Sequence, residues 1–267
     1  MKTTRRGFGT IALGAAVGAV SGTTVFSQKA NAQTRAQHAA GEYDNGIIQL
    51  NQNESARGPG PNTMEAIRTH TTRRVGRGYS PDHVNELREG IANYYSLSTA
   101  NVELATGSTP LLQGSVRAFC DAEKAFVTPM PTYSTSLSTA REIDARAIEL
   151  SLDSGLGVDL DTLAANASGA GLLYLCNPNN PTGTVHGPQA VERFVRRVMR
   201  ENPDTYVHID EAYINYCRPG AIETAVPLAM EFEKVFITRS FSKAHGMAGL
   251  RVGYALGQEQ TLEKIRN

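Results

Sequence analysis

Apolar residues in this chain come in short unbroken runs, and between the runs they recur every three or four positions. The runs at 102–106, 125–128, 147–152, 171–176, 206–210, 235–238 and 252–256 are rich in Val, Ile, Leu and Ala, the pattern of strands buried on both faces. Helical spacing fills the gaps at 110–119, 132–142, 159–165 and 188–199. Upstream, 62–70 and 81–95 also read as helices; in the second, Val84, Leu87, Ile91 and Tyr94 share a face and Pro81 stands near the start. Buried strands alternating with helices predict an α/β fold in three αβα layers around a mostly parallel sheet. Ligands of such sheets collect beyond the carboxyl ends of the strands. The loops following four of these strands hold the most chemically loaded residues in the chain.

The first 32 residues follow a different pattern. Arg5-Arg6 precede Phe8, a weakly apolar Gly/Ala-rich run covers 11–25, and Ala30-Asn31-Ala32 supplies the small residues that signal peptidases favour. The pattern resembles a twin-arginine signal, which implies use of the twin-arginine export machinery and a periplasmic location. Residues 33–45 read as a polar linker, 46–78 as an N-terminal segment full of turn chemistry, and 79–267 as the large domain. The 267 residues carry 26 Lys+Arg against 26 Asp+Glu, a balance that gives no electrostatic reason to expect nucleic acid. Cys120, Cys176 and Cys217 are an odd number with no metal spacing, so neither a disulfide framework nor a zinc site is implied.

The chemistry concentrates at 240–253. Lys243 sits between small hydroxyl residues just past a buried strand, where an amine can lose its proton and attack a carbonyl carbon. Ser240, Ser242 and Arg251 are suited to holding a phosphate. A Schiff-base lysine beside a phosphate clamp points to pyridoxal phosphate. Gly107-Ser108-Thr109 opens a helix after a strand and offers free N–H groups as a second part of the phosphate seat. In 177–183, Asn-Pro-Asn-Asn-Pro-Thr-Gly, a rigid turn fixes an Asn amide for a ring hydroxyl. Asp210 ends a strand where it can pair with a protonated pyridine nitrogen, and Tyr213 is placed for the same ring hydroxyl or for the core. Tyr133 is an aromatic at a strand end, suited to stacking on a flat ring or to packing. His208 and Asp210 share a strand face, but no third metal ligand stands at readable spacing.

With those motifs in place, the chain resembles the fold-type I pyridoxal-phosphate aminotransferases, and among them the histidinol-phosphate aminotransferase family. The likeness runs from about Leu50 onward and rests on CNPNNPTGT at 176–184, DEAY at 210–213, PMPTYS at 129–134 and the 240–253 segment. It implies that Lys243 carries the cofactor covalently and moves the substrate α-proton. It further implies that Asp210 holds the pyridine nitrogen, Asn180 and Tyr213 the ring oxygen, and Tyr133 the ring face. Gly107, Ser108, Thr109, Ser240, Ser242 and Arg251 would surround the phosphate. Tyr79 matches a tyrosine that reaches the neighbouring subunit's phosphate, which implies a homodimer. The implied reaction exchanges an amino group between an amino acid and a 2-oxo acid.

Two departures shape these expectations. The family's N-x-N-E-N-P-Y-G-P reads here as Asn-Gln-Asn-Glu-Ser-Ala-Arg-Gly-Pro at 51–59, with Arg57 where a substrate-reading tyrosine stands. Histidinol phosphate is therefore not carried over as the substrate. The sequence also stops at Asn267, short of the family's small C-terminal domain, so either a fragment or a protein that lost that half is expected, with an open cleft, poor solubility and weak or no turnover. The alternatives are a lyase or decarboxylase on the same scaffold and an inactive truncated remnant. A dinucleotide-binding oxidoreductase fits poorly, because 106–109 reads Thr-Gly-Ser-Thr with no G-x-G-x-x-G.

Overall fold

The computed structural model describes residues 50–73, 75 and 82–266. The twin-arginine pattern, the linker and Tyr79 lie outside these residues. The chain divides into two units, 1–57 and 58–267. In the first, residues 50–57 form an irregular stretch with a Glu54 N–H bond to the Gln52 carbonyl at 3.0 Å.

The second unit is an α/β layer structure. Its elements in order are α1 (Pro61–His70), α2 (Asp82–Tyr95), β1 (Val102–Ala105), α3 (Thr109–Phe119), β2 (Ala125–Met130), α4 (Thr135–Glu142) and β3 (Ala147–Ser151). Then follow α5 (Leu160–Ala165), β4 (Ala170–Cys176), α6 (Pro188–Glu201), β5 (Tyr206–Asp210), α7 (Val226–Glu231), β6 (Val235–Ser240), β7 (Gly253–Leu256) and α8 (Glu259–Arg266). All seven expected strands form. The helix expected from 132 starts at Thr135, because 131–134 turns before it, and α7 and α8 were not anticipated.

The strands form one sheet in the order β1-β7-β6-β5-β4-β2-β3. β7 runs antiparallel to both β1 and β6, and the remaining pairings are parallel. β4 and β5 are buried at every position, as central strands covered on both faces must be. One face packs Val191, Phe194, Val195 and Val198 of α6, with residues of α2, α5 and α7. The other packs Leu112 and Val116 of α3, Leu137 of α4 and Leu262 of α8.

α6 illustrates why these segments are helical. Pro188 stands at its first turn, where the missing N–H costs nothing. Its four buried apolar residues recur at three- and four-residue spacing, each contributing roughly 1.5–3 kcal/mol on burial. The opposite face carries Arg196 and Arg197, which pair with Glu192, Glu231, Asp161 and Glu201 in solvent.

β7 fits only because Gly253 lacks a side chain. It pairs with Ala105 on one side and Ser240 on the other, and a Cβ there would strike the backbone of Gly107 and Ser108.

Candidate functional site

The strand ends place the expected residues in two groups within the second unit. One is a cup at the ends of β1, β6 and β7. Gly107 is buried with φ +80°, and a Cβ on it would collide with the guanidinium of Arg251. The cation therefore lies directly on the backbone that opens α3, whose first N–H groups lack intrahelical partners. Ser108 and Thr109 begin that helix and are half-buried. From the other side, Arg251 Nη1 donates to the Ala248 carbonyl at 2.9 Å and reaches Ser242 Oγ at 3.4 Å. Ser240 Oγ accepts the Ser242 N–H at 3.0 Å. Arg251 itself holds a left-handed backbone (φ 56°, ψ 59°), which turns its side chain back over the cup. Cation, hydroxyls and helix-start amides together suit a phosphate.

The second group surrounds Asp210, 2% exposed at the end of β5. Its carboxylate accepts from Tyr174 Oη at 3.0 Å and from the Ala212 N–H at 3.1 Å, and the Thr238 hydroxyl, on the paired position of β6, also favours its ionised form. These donors are all neutral. Burial outweighs them and pushes the carboxyl up to about 6. A buried acid held by neutral donors is suited to a cationic partner from a ligand. Lys243, past the end of β6, places its Nζ 5.5 Å from the ring centre of Tyr213.

The loops that carry Tyr133 and Asn180 are fixed to each other by a residue between them in neither role. Asn179, 3% exposed, accepts from Thr132 Oγ1 at 2.7 Å and donates to the Pro131 carbonyl at 3.1 Å and to Thr182 Oγ1 at 2.9 Å. Tyr133 is 36% exposed and so keeps a ring face open, and Asn180 is half-buried. The apolar segment after Lys243 is more exposed than its composition implies, with Leu250 at 44%.

Sequence reasoning missed Tyr174, Thr238 and Asn179. A signal existed for Tyr174, because a tyrosine inside a fully buried strand needs a partner for its hydroxyl. His208 faces the same side as Asp210, and its Nε2 lies 2.8 Å from Thr238 Oγ1. Among the described residues, no three His, Cys, Asp or Glu side chains converge as metal ligands. Cys120 and Cys176 are buried and free, and burial pushes the Cys120 thiol up to about 12.

Comparison with known proteins agrees with this geometry. An aromatic amino acid aminotransferase of Mycolicibacterium smegmatis is 33% identical over 85% of this chain and 62% of its own length. A histidinol-phosphate aminotransferase of Methanothermobacter thermautotrophicus is 35% identical over 84% of this chain and 58% of its own. The chain thus spans about three fifths of the length of these curated relatives. The solved histidinol-phosphate aminotransferase of Sinorhizobium meliloti, in complex with pyridoxal-5'-phosphate, superposes with a TM-score of 0.73 at 29% identity. That match covers 80% of this chain and 57% of the other. The model of the family described as aminotransferase class I and II matches residues 45–267. The chain belongs to the aminotransferase class I and II family.

Proposed function

We propose that this protein uses pyridoxal phosphate to exchange an amino group between an amino acid and a 2-oxo acid. The observation that carries the reading is the buried Asp210 carboxylate, served by neutral donors, on the same sheet edge as the Arg251–Gly107 cup. A ligand with a cationic ring nitrogen at one end and a phosphate at the other answers both needs, and pyridoxal phosphate has that form.

When bound, pyridoxal phosphate supplies an aldehyde carbon for amine exchange and a ring that takes up electron density released at the substrate α-carbon. The chain's own residues do the rest. Asp210 would hold the ring nitrogen in its protonated form. Lys243 would hold the cofactor covalently and would carry the proton away from the substrate α-carbon and return it. Arg251, Ser242, Ser240 and the amides at Gly107, Ser108 and Thr109 would anchor the phosphate. Tyr213 and Asn180 would hold the ring oxygen, and Tyr133 would cover the ring face.

Relatives named for aromatic amino acids and for histidinol phosphate share a ring-bearing amine, so a donor with a planar ring in its side chain is the proposed substrate class. The twin-arginine pattern supports export to the periplasm in a folded state, and the position of Tyr79 supports a homodimer with shared sites.

The test is direct. Borohydride treatment of cofactor-saturated protein followed by peptide mapping should place a pyridoxyl label on Lys243. A label elsewhere, or none, defeats the reading. Mixing the labelled-competent protein with phenylalanine, tyrosine or histidinol phosphate should release the corresponding oxo product; release only of unreacted amine defeats the transamination assignment. Fractionation of cells expressing wild type and an Arg5→Lys/Arg6→Lys variant tests the export proposal.

A further inference from the structure

His208 is fully buried two residues before Asp210 on the same face of β5. The ring of Phe236 stacks on it with centroids 4.4 Å apart, and Tyr174 meets it edge-on at 5.2 Å. The β5–β6 register sets Phe236 opposite His208 and Thr238 opposite Asp210. Thr238 Oγ1 thus lies 2.8 Å from the imidazole Nε2, at the strand position paired with Asp210.

Counting hydrogens fixes the direction of this chain. An ionised carboxylate only accepts, and a hydroxyl has one hydrogen to give. If Thr238 donates to Asp210, its oxygen must accept from His208, which puts the imidazole proton on Nε2. Nδ1 is then a bare lone pair, and it is the His208 atom without a partner. The other tautomer would bury an N–H with nothing to receive it, at a cost of about 1–3 kcal/mol, and would turn the hydroxyl away from Asp210. A charged imidazole is also disfavoured, because burial lowers the pKa of His208 to about 3.

We infer that His208 is a positioning residue: its Nε2–H holds the Thr238 hydroxyl on Asp210 and, with Tyr174, completes a set of neutral donors that keeps the carboxylate ionised and aimed. A cation in that place would pair with Asp210 itself. The aim toward a cationic ring nitrogen rests on the cofactor reading above, but the tautomer and the direction of the relay do not.

Two measurements separate these layers. Long-range 15N NMR of the cofactor-free chain reads each imidazole tautomer, and the signal lost in His208→Gln assigns His208 among the 6 histidines. A neutral Nε2–H ring is expected between about pH 7 and pH 8, where the Asp210 carboxyl, pushed up to about 6, is ionised. An Nδ1–H or cationic ring in that range overturns the relay. In the second measurement, His208→Phe and Thr238→Val should each raise the pyridoxal phosphate Kd about tenfold. His208→Gln and Thr238→Ser, which keep a donor and a hydroxyl, should stay within about twofold of wild type. They should also preserve the 15N shift of the bound ring nitrogen, which the two disruptive variants move. Equal binding and equal shifts in all four variants overturn the positioning role. If wild type takes up no cofactor, the functional reading fails and the tautomer measurement alone decides the relay.

Discussion

Arg239 donates from Nε to the Glu211 carboxylate across 2.9 Å, and the two side chains are 11% and 1% exposed. Glu211 also accepts the Ala225 N–H at 2.7 Å and Thr224 Oγ1 at 2.8 Å, while Arg239 donates to the Tyr95 hydroxyl. Burial pushes the Glu211 carboxyl up and Arg239 opposes it, so the pair is held charged by geometry rather than by water. Arg239→Met should therefore destabilise the chain by roughly 3–5 kcal/mol in urea unfolding, because the acid it leaves is buried and unpaired. Adding Glu211→Leu should recover only part of that loss, since the Ala225 N–H then has no acceptor.

Asp210 and His208 should give opposite pH signatures to the stability of the cofactor-free chain. Burial raises Asp210 from 3.8 to about 6, so the native state holds the extra proton. Its contribution is present below about pH 4 and is lost as pH rises toward 6. The stability difference between Asp210→Asn and wild type should grow across that window, by up to about 3 kcal/mol. Burial lowers His208 from 6.5 to about 3, so its contribution is present above pH 6.5 and lost as pH falls. His208→Phe should gain on wild type as the solution is acidified. Chemical denaturation at a series of pH values reads both slopes, and parallel profiles for either pair of proteins would contradict the assignment.

Gly107 is required twice, once for its φ of +80° and once for the guanidinium lying where a Cβ would stand. Gly107→Ala should weaken pyridoxal phosphate binding at least about tenfold, combining left-handed strain with displacement of Arg251. Binding of unphosphorylated pyridoxal should change much less. Titrating both aldehydes by absorbance distinguishes a damaged phosphate cup from a damaged fold.

Asn179 ties two site loops together through three hydrogen bonds. Asn179→Ala should cost roughly 2–3 kcal/mol, given about 1 kcal/mol for each buried bond. Hydrogen exchange should accelerate in 131–134 and 179–184 while β4 stays protected.

The sheet was legible in the sequence because strands covered on both faces are continuous apolar runs, as in 171–176 and 206–210. α7 and α8 were not, because six and eight residues with three buried positions each show too little of the 3.6 period. Lys243, Asp210 and Arg251 stood out because their residue types are unusual beside buried strands. Their supports did not. Tyr174 lies 36 residues from Asp210 and Thr132 lies 47 from Asn179, and spacing along the chain carries no information about register between strands. The motif at 177–183 points to an Asn amide without saying which, and only the family resemblance picks Asn180 over Asn179, which does the joining.

The placement of β7 has a consequence for how the molecule is made. Among the described residues β1 has no neighbour in the sheet except β7, and β7 is the last of the seven described strands to be made. While the ribosome is still extending the polypeptide, five strands from β2 to β6 can assemble, but β1 must wait unzipped. Gly107 and Arg251, joined only through that insertion, meet late. The cup they form is accordingly completed only after the other six described strands have been made.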